Sequence, residues 1–489
     1  MDHPVSDPAR PATLPETLQQ ARQLLAAGQL DQADALCREA LQAAPDHADV
    51  LHVLGQVAAQ RGEHARAIGL LERAAGTPNP SAEVFGFLCQ LYRITGRQDL
   101  ARKAGREALR RSGHGARSAF NLAMVHVDAR EFDDATTCLL HALALDANFA
   151  PARLELGHTL LRQGEFKAGW VEYEWRFRLE HTREALPKIN APQWNGMRLP
   201  RGRVLLIGDQ GYGDTIQFAR YIPRVSERVG EVVLGCCQEL LPLISQLPGI
   251  HSSFVRWEDI PGFSVFCPLS SLPYVFGTEL DTIPASAPYL KADPQRVAQW
   301  SERIRAAVGD GALRVGIAWA GRASHPNDRA RTLRWSQLLP LTRIPGVALI
   351  ALQKEIPATD RAEFPGGLGA LDISAELGDF ADTAAVIESC DLVISVDSSV
   401  AHLAGAMGKP AWVMLPWIPD WRWLLDREDT PWYPTLRLFR QPSRGDWTST
   451  IARVAEELTA LRRGGREGVA RPAAGTDRLP PIFRSQVPA

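Results

Sequence analysis

Apolar positions in the first third of the chain recur at the spacing of amphipathic helices, and they do so in units. Gly28, Gly62, Gly96 and Gly164 stand in one register of 34 residues, with Arg130 in the remaining place. Five positions after each come Ala33, Ala67, Ala101, Ala135 and Gly169, and Leu54, Leu88, Leu122 and Leu156 repeat in the same phase. A small residue where two helices cross, with a turn residue between them, describes a helix pair. Five such pairs are predicted, beginning near Leu14, His47, Ser81, Ala116 and Ala150. From 184 to 203 the period disappears, and Pro187, Pro192 and Pro200 break the segment up. Beyond it the apolar runs are short and alternate with helical stretches. They occupy 203–207, 231–235 and 263–266, then, after a connector at 284–294, 314–321, 347–354, 393–396 and 411–415. Continuous apolar runs of this kind are parallel strands covered on both faces, so this part reads as two doubly wound α/β units with a cleft between their strand ends. An amphipathic run at 450–461 is expected to close the second unit as a helix.

A period of 34 with this pattern is the signature of tetratricopeptide repeats, whose helix pairs cannot bury their apolar stripes alone and stack into an α-solenoid. Such a solenoid offers a groove for a polypeptide; alternatively it dimerises the chain or props up its neighbour. Trp170, Tyr173, Trp175 and Phe177 crowd the last helix, which suggests a dock onto the following domain. The domain plan is a disordered N-terminus (1–13), the solenoid (14–183), a linker (184–202), a first lobe (203–295), a second lobe (296–464) and a disordered tail (465–489).

Composition narrows the function. With 489 residues, the chain is long enough for several cores. A formal net charge of −2 supplies no electrostatic footprint for nucleic acid or a membrane surface. Seven cysteines without a CxxC pair read as buried thiols in a reducing compartment, and no metal site is expected. No apolar run reaches the roughly 18 residues of a membrane span, so a cytoplasmic location is expected.

The candidate chemistry sits in two strand-to-helix turns. At 393–408 a β-branched run turns on Asp397, Ser398 and Ser399, each able to cap a helix that ends at Gly408 and Pro410. The first amides of such a helix, from Ser398 through Val400 to Ala401, form a ready site for a phosphate; an ordinary βα turn is the plain alternative. At 208–221 a second turn carries Gly208, Gly211, Gly213 and Asp214, but neither the GxGxxG spacing nor the lysine of a P-loop.

The segment 211–217 resembles the first loop of heptosyltransferase-like glycosyltransferases (glycosyltransferase family 9), and 397–404 resembles their donor-binding Asp-Ser/Thr-x-x-x-His-Leu-Ala motif. With repeats in front, residues 15–465 resemble bacterial repeat-fused glycosyltransferases of the GT-B fold, a group that includes flagellin glycosyltransferases and is distantly similar to protein O-GlcNAc transferases. The block 416–426 and the segment 431–434 look typical of that branch. The resemblance implies sugar transfer from a nucleotide sugar, without a metal or other cofactor, to a protein hydroxyl presented by the repeats. It makes Asp214 the candidate base, with a helix cap as its plain alternative. Gly211, Gly213, Lys354, Asp397, Ser398, Ser399, Val400, Ala401 and His402 become candidates for the donor site. Lys354 reads equally as a solvated strand-end lysine, and His402 as a core histidine. Arg322, His325, Asn327, Arg329 and Arg331 lie on a loop suited to closing over a pyrophosphate, or simply on a solvated basic loop. Trp417, Trp421 and Trp423 fit stacking on a base or sugar as well as packing between domains. Two alternatives stay open: an assembly factor whose α/β unit is catalytically idle, and a heptosyltransferase-like enzyme whose acceptor is a glycan.

Overall fold

The computed structural model describes residues 13–464 apart from 114, 325–326 and 365–368. It divides into two compact units, Met1–Thr159 and Leu160–Ala489. Of the segments expected to be disordered, 1–12 and 465–489 lie outside the described residues, as does His325, whereas Thr13 caps the first helix: its amide donates to Glu16 at 2.7 Å.

The first unit is a stack of antiparallel helix pairs: α1 (Leu14–Ala26) with α2 (Leu30–Ala43), α3 (Ala48–Gln60) with α4 (His64–Ala75), α5 (Ala82–Ile94) with α6 (Gln98–Arg111), and α7 (Ala116–Asp128) with α8 (Phe132–Leu145). Helix α9 (Ala150–Gln163) starts the fifth pair and runs across the division. The register residue between the helices has a steric cause. Gly28, Gly62 and Gly96 adopt φ of 72°, 79° and 75°, and Arg130, in the same place, is at 61°. There a Cβ crowds the following carbonyl oxygen, which glycine avoids. The small residues Ala33, Ala67, Ala101 and Ala135 are fully enclosed, and Leu54, Leu88, Leu122 and Leu156 are buried. Arg102 forks onto both oxygens of Glu131, at 2.7 and 2.8 Å, tying one pair to the next. This is the α-solenoid that the 34-residue period implies.

After the last residues of α9, the second unit continues with α10 (Phe166–Tyr173), the second helix of the fifth pair. The division of the chain by its contacts falls at 159/160, so α10 groups with the α/β unit. The aromatic residues explain why. The Trp170 indole N–H donates to the Thr278 carbonyl at 2.9 Å, and its ring meets Trp421 edge-on at 5.1 Å. Phe166 stacks on Trp432 at 6.0 Å, and Tyr173 lies 5.9 Å from Trp421.

Two parallel sheets follow. The first lobe contains β1 (Leu199–Ile207), β2 (Val229–Gly235), β3 (Ser252–Phe254) and β4 (Val265–Pro268), in the order β3-β2-β1-β4. The second contains β5 (Leu313–Ala318), β6 (Val347–Ala351), β7 (Ala370–Leu371), β8 (Leu392–Val396), β9 (Ala411–Leu415) and β10 (Leu436–Arg440), in the order β10-β9-β8-β5-β6-β7. Both are Rossmann-like, with the strand order reversing between β1 and β4 and between β5 and β8; ligands of open parallel sheets bind at such switch points. All five residues of β8 are buried, as a central strand covered on both faces requires. The helix Trp447–Gly464 packs its Ile451, Val454 and Leu458 into the second-lobe core with Trp319, Trp335 and Phe364. Among the described residues, no helix is long and apolar enough to cross a membrane.

Candidate active site

The second lobe's switch point is built around Asp397. Strand β8 delivers it, and Ser398, in extended conformation, caps the helix Ser399–Ala406. The Ser398 hydroxyl accepts from the Val400 amide at 3.3 Å and pairs with the Ser395 hydroxyl at 2.9 Å; its carbonyl accepts from the Ala401 amide at 3.1 Å. Two of the amides expected to hold phosphate are therefore engaged within the turn. Ser398 and Ser399 are half-buried and still meet solvent. The Asp397 carboxyl is buried. Loss of water, and secondly the neighbouring Asp420, push its pKa from 3.8 up to about 6 against the pull of Arg331 and Arg422.

Arg331 spans this switch point from the loop after β5. It donates to the Asp397 carbonyl at 3.0 Å, and its guanidinium occupies the space in which a Cβ on Gly321 would stand, 2.5 Å away. The first lobe's switch point is instead filled by a buried polar network. Asp209, after β1, accepts from the Ser270 amide at 3.1 Å and from the Ser270 hydroxyl. Arg176 donates to the hydroxyls of Ser270 and Ser271, each at 2.7 Å, and pairs with Glu174 at 2.7 Å. Burial raises the Asp209 pKa, with Arg176 opposing. Ser270 and Ser271 are buried in the first crevice, whereas Ser398 and Ser399 are only half-buried in the second.

The helix Tyr212–Phe218 of the first lobe lies against the helix Ser399–Ala406 of the second. Gly213 permits it: a Cβ there would stand 2.7 Å from His402 Cδ2. The His402 ring is enclosed, with Nδ1 2.9 Å from the Tyr433 hydroxyl and the ring stacked on Trp423 at 5.2 Å. Burial, and secondly Arg422, lower its pKa to about 3, so it is neutral at physiological pH. The structure thus places His402 in the packing between the lobes.

Asp214 both caps and pairs. Its Oδ2 accepts from the Gly211 amide at 2.9 Å, and its Oδ1 accepts from Arg422 of the other lobe. The side chain keeps 22% of its exposure and so still meets solvent. Arg422 also donates to Gln217 Oε1 at 2.7 Å and to Asp420 Oδ1 at 2.8 Å, and lies over the Trp421 ring at 4.2 Å. Burial works against its charge, but Asp420 and Asp214 outweigh that and hold its pKa above the ordinary value.

The remaining candidates scatter. Lys354 is exposed and donates to the Gly378 carbonyl. Arg322 lies 5.2 Å over the ring of Tyr212, which also meets Phe380 edge-on at 4.9 Å, while the Phe380 amide donates to the Glu239 carbonyl at 3.0 Å across the lobes. Arg329 is exposed on the short helix Asp328–Arg331. Trp417 is half-buried, its amide donating to Gln441 at 3.0 Å. Trp421 is enclosed in the aromatic cluster at 1% exposure and Trp423 is fully buried, so of the two expected roles for these rings the structure gives packing: neither has a face left for a base or sugar. Arg422 and Asp420 went unassigned in the sequence. The signal was there, charges alternating with tryptophans inside a block of large apolar residues, but it does not say which charge points where.

Comparison with known proteins agrees with the plan of the fold. Residues 24–88 match a tetratricopeptide repeat, and residues 349–412 match glycosyltransferase family 9 (heptosyltransferase). The chain thus joins a segment similar to tetratricopeptide repeats to one similar to glycosyltransferase family 9. The second matched segment runs from β6 into β9 and includes Lys354, Asp397 and His402, while the Gly211–Asp214 turn and Arg422 fall outside it. The chain is 26% identical over 454 residues to Protein FlbA of Caulobacter vibrioides, an alignment spanning 86% of this chain and 74% of that protein. Among solved structures it is similar to MamA (19% identity, 34% of this chain and 97% of MamA, TM-score 0.30) and to PilF of Pseudomonas aeruginosa (21% identity, 35% and 78%, TM-score 0.32).

Proposed function

We propose that the chain is a GT-B glycosyltransferase of the cytoplasm that moves a sugar from a nucleotide-activated donor to a hydroxyl of a protein held by the repeats. The observation carrying this reading is that the helix opened by the Gly211–Asp214 turn of one lobe packs, at Gly213, on His402 of the helix that the Asp397–Ser399 turn opens in the other, the second lying inside the segment similar to family 9. The donor diphosphate is read at the Ser398–Ser399 turn, where both serines are only half-buried and the helix N-terminus favours anions. Asp214 takes the acceptor hydroxyl's proton as the acceptor oxygen bonds to the anomeric carbon. The bond from that carbon to the phosphate oxygen breaks, and the diphosphate leaves with the electron pair. No resident metal or cofactor is needed by this route.

The test is transfer by the full chain from UDP-, GDP-, ADP- and dTDP-sugars to candidate partner proteins. Asp214→Asn is expected to lower kcat by about 10²–10⁴ and Ser399→Ala to raise donor KM; full activity in Asp214→Asn refutes the base assignment. The engagement of the Val400 and Ala401 amides by Ser398 favours a second reading, an assembly factor with an idle α/β unit. A nucleoside diphosphate at ~100 times its Kd stabilises the native state by about 2.7 kcal/mol, so the lack of any thermal shift with all four nucleoside diphosphates would favour that second reading.

A further inference from the structure

The geometry points to Arg422 as a positioning residue that holds the Asp214 carboxylate in its working orientation from the opposite lobe; the inference rests on the base role proposed for Asp214. Three observations converge on it. First, the guanidinium spends its donors on placement. It reaches Gln217 and Asp214 on the first-lobe helix while remaining chelated to Asp420 of its own loop, by its backbone amide at 3.0 Å and its side chain at 2.8 Å. With Gly211 on Oδ2 and Arg422 on Oδ1, the carboxylate plane is held at both ends, and each oxygen retains a lone pair for an incoming hydroxyl.

Second, the loop carrying Arg422 is over-determined. Arg440, on β10, donates to three of its carbonyls: Trp423 at 2.6 Å, Arg427 at 2.8 Å and Leu424 at 3.0 Å. Leu424 and Asp426 are held at φ of 51° and 50°, a left-handed conformation that non-glycine residues adopt at a cost. Strain maintained by the surrounding structure is characteristic of segments that aim a side chain.

Third, adhesion between the lobes does not require an ion here. Trp421, Trp432, Phe218 and Trp170 already pack around this point, and an apolar side chain would fill the space without the desolvation penalty of a buried guanidinium. What an apolar residue does not do is orient a carboxylate. Asp214 is consequently in working position only while the lobes are docked.

Arg422→Lys retains the charge but lacks the planar fork that spans three acceptors. In the full chain, with release of nucleoside diphosphate from UDP-, GDP-, ADP- and dTDP-sugars as the readout, kcat is expected to fall about 10- to 100-fold while donor KM stays within about threefold. On an Asp214→Asn background, Arg422→Lys is expected to cause no further loss of kcat, because the group it positions is gone; a merely structural role would give additive losses. Unchanged kcat in Arg422→Lys, or additive losses, overturns the inference while leaving Asp214 as base. Full activity in Asp214→Asn overturns both. Amide hydrogen exchange supplies a readout independent of activity: Arg422→Lys is expected to speed exchange over 211–218 with the rest of the first lobe unchanged, and an unaltered 211–218 segment overturns the inference even if no sugar is turned over.

Discussion

Replacing Gly213 with alanine tests how the two lobes meet. The added methyl carbon would stand 2.7 Å from His402 Cδ2 and 3.5 Å from both Cγ and Nε2. The ring has nowhere to retreat. Its Nδ1 is tied to the Tyr433 hydroxyl at 2.9 Å, its face lies on Trp423, and Tyr433 is pressed so closely on Gly405 that a Cβ there would be 2.4 Å away. Relief must come from parting the helices Tyr212–Phe218 and Ser399–Ala406, and such overpacking costs about 1–3 kcal/mol. Helix propensity works the other way, since alanine is better than glycine inside a helix by up to about 1 kcal/mol. The contact term wins, and a net destabilisation of about 1–2 kcal/mol is expected. Urea unfolding followed by tryptophan fluorescence measures it, because all 13 tryptophans lie from Trp170 to Trp447, within the second unit. An alanine variant more stable than the parent, as propensity alone dictates, would refute the close approach of the two helices.

Two other perturbations follow from the same structure. The native state holds a proton on Asp397 up to pH about 6 that the unfolded chain releases near 3.8, so this group's contribution to stability falls as pH rises between those values and is flat above. Asp397→Asn should therefore gain on the parent by up to about 3 kcal/mol over that window, and parallel stability profiles of the two proteins from pH ~4 to ~7 would contradict the assignment. In the solenoid, Gly62→Ala meets no neighbouring atom within 4 Å, but its φ of 79° is left-handed, so backbone strain alone should cost about 1–2 kcal/mol. Far-UV circular dichroism reads this, and an unchanged midpoint would mean that the turn relaxes.

The sequence alone determined the repeats and most of the strands, because both are periodic. A 34-residue phase survives any detail of packing, and a buried parallel strand must be a run of apolar residues. It was silent on β3, β7 and β10, whose segments are short or polar: Ser252-Ser253-Phe254, Ala370-Leu371 and the alternating Leu436-Arg437-Leu438-Phe439-Arg440. It also marked both turns whose helices pack together, since glycines and capping residues announce a strand-to-helix turn locally. Only the tertiary structure decided what those residues touch. That His402 packs against Gly213, that Trp421 is enclosed, and that Arg422 crosses the lobes to Asp214 depend on pairs separated by about two hundred positions. Burial and ion pairing are properties of such pairs, and a pattern along one chain carries no term for them.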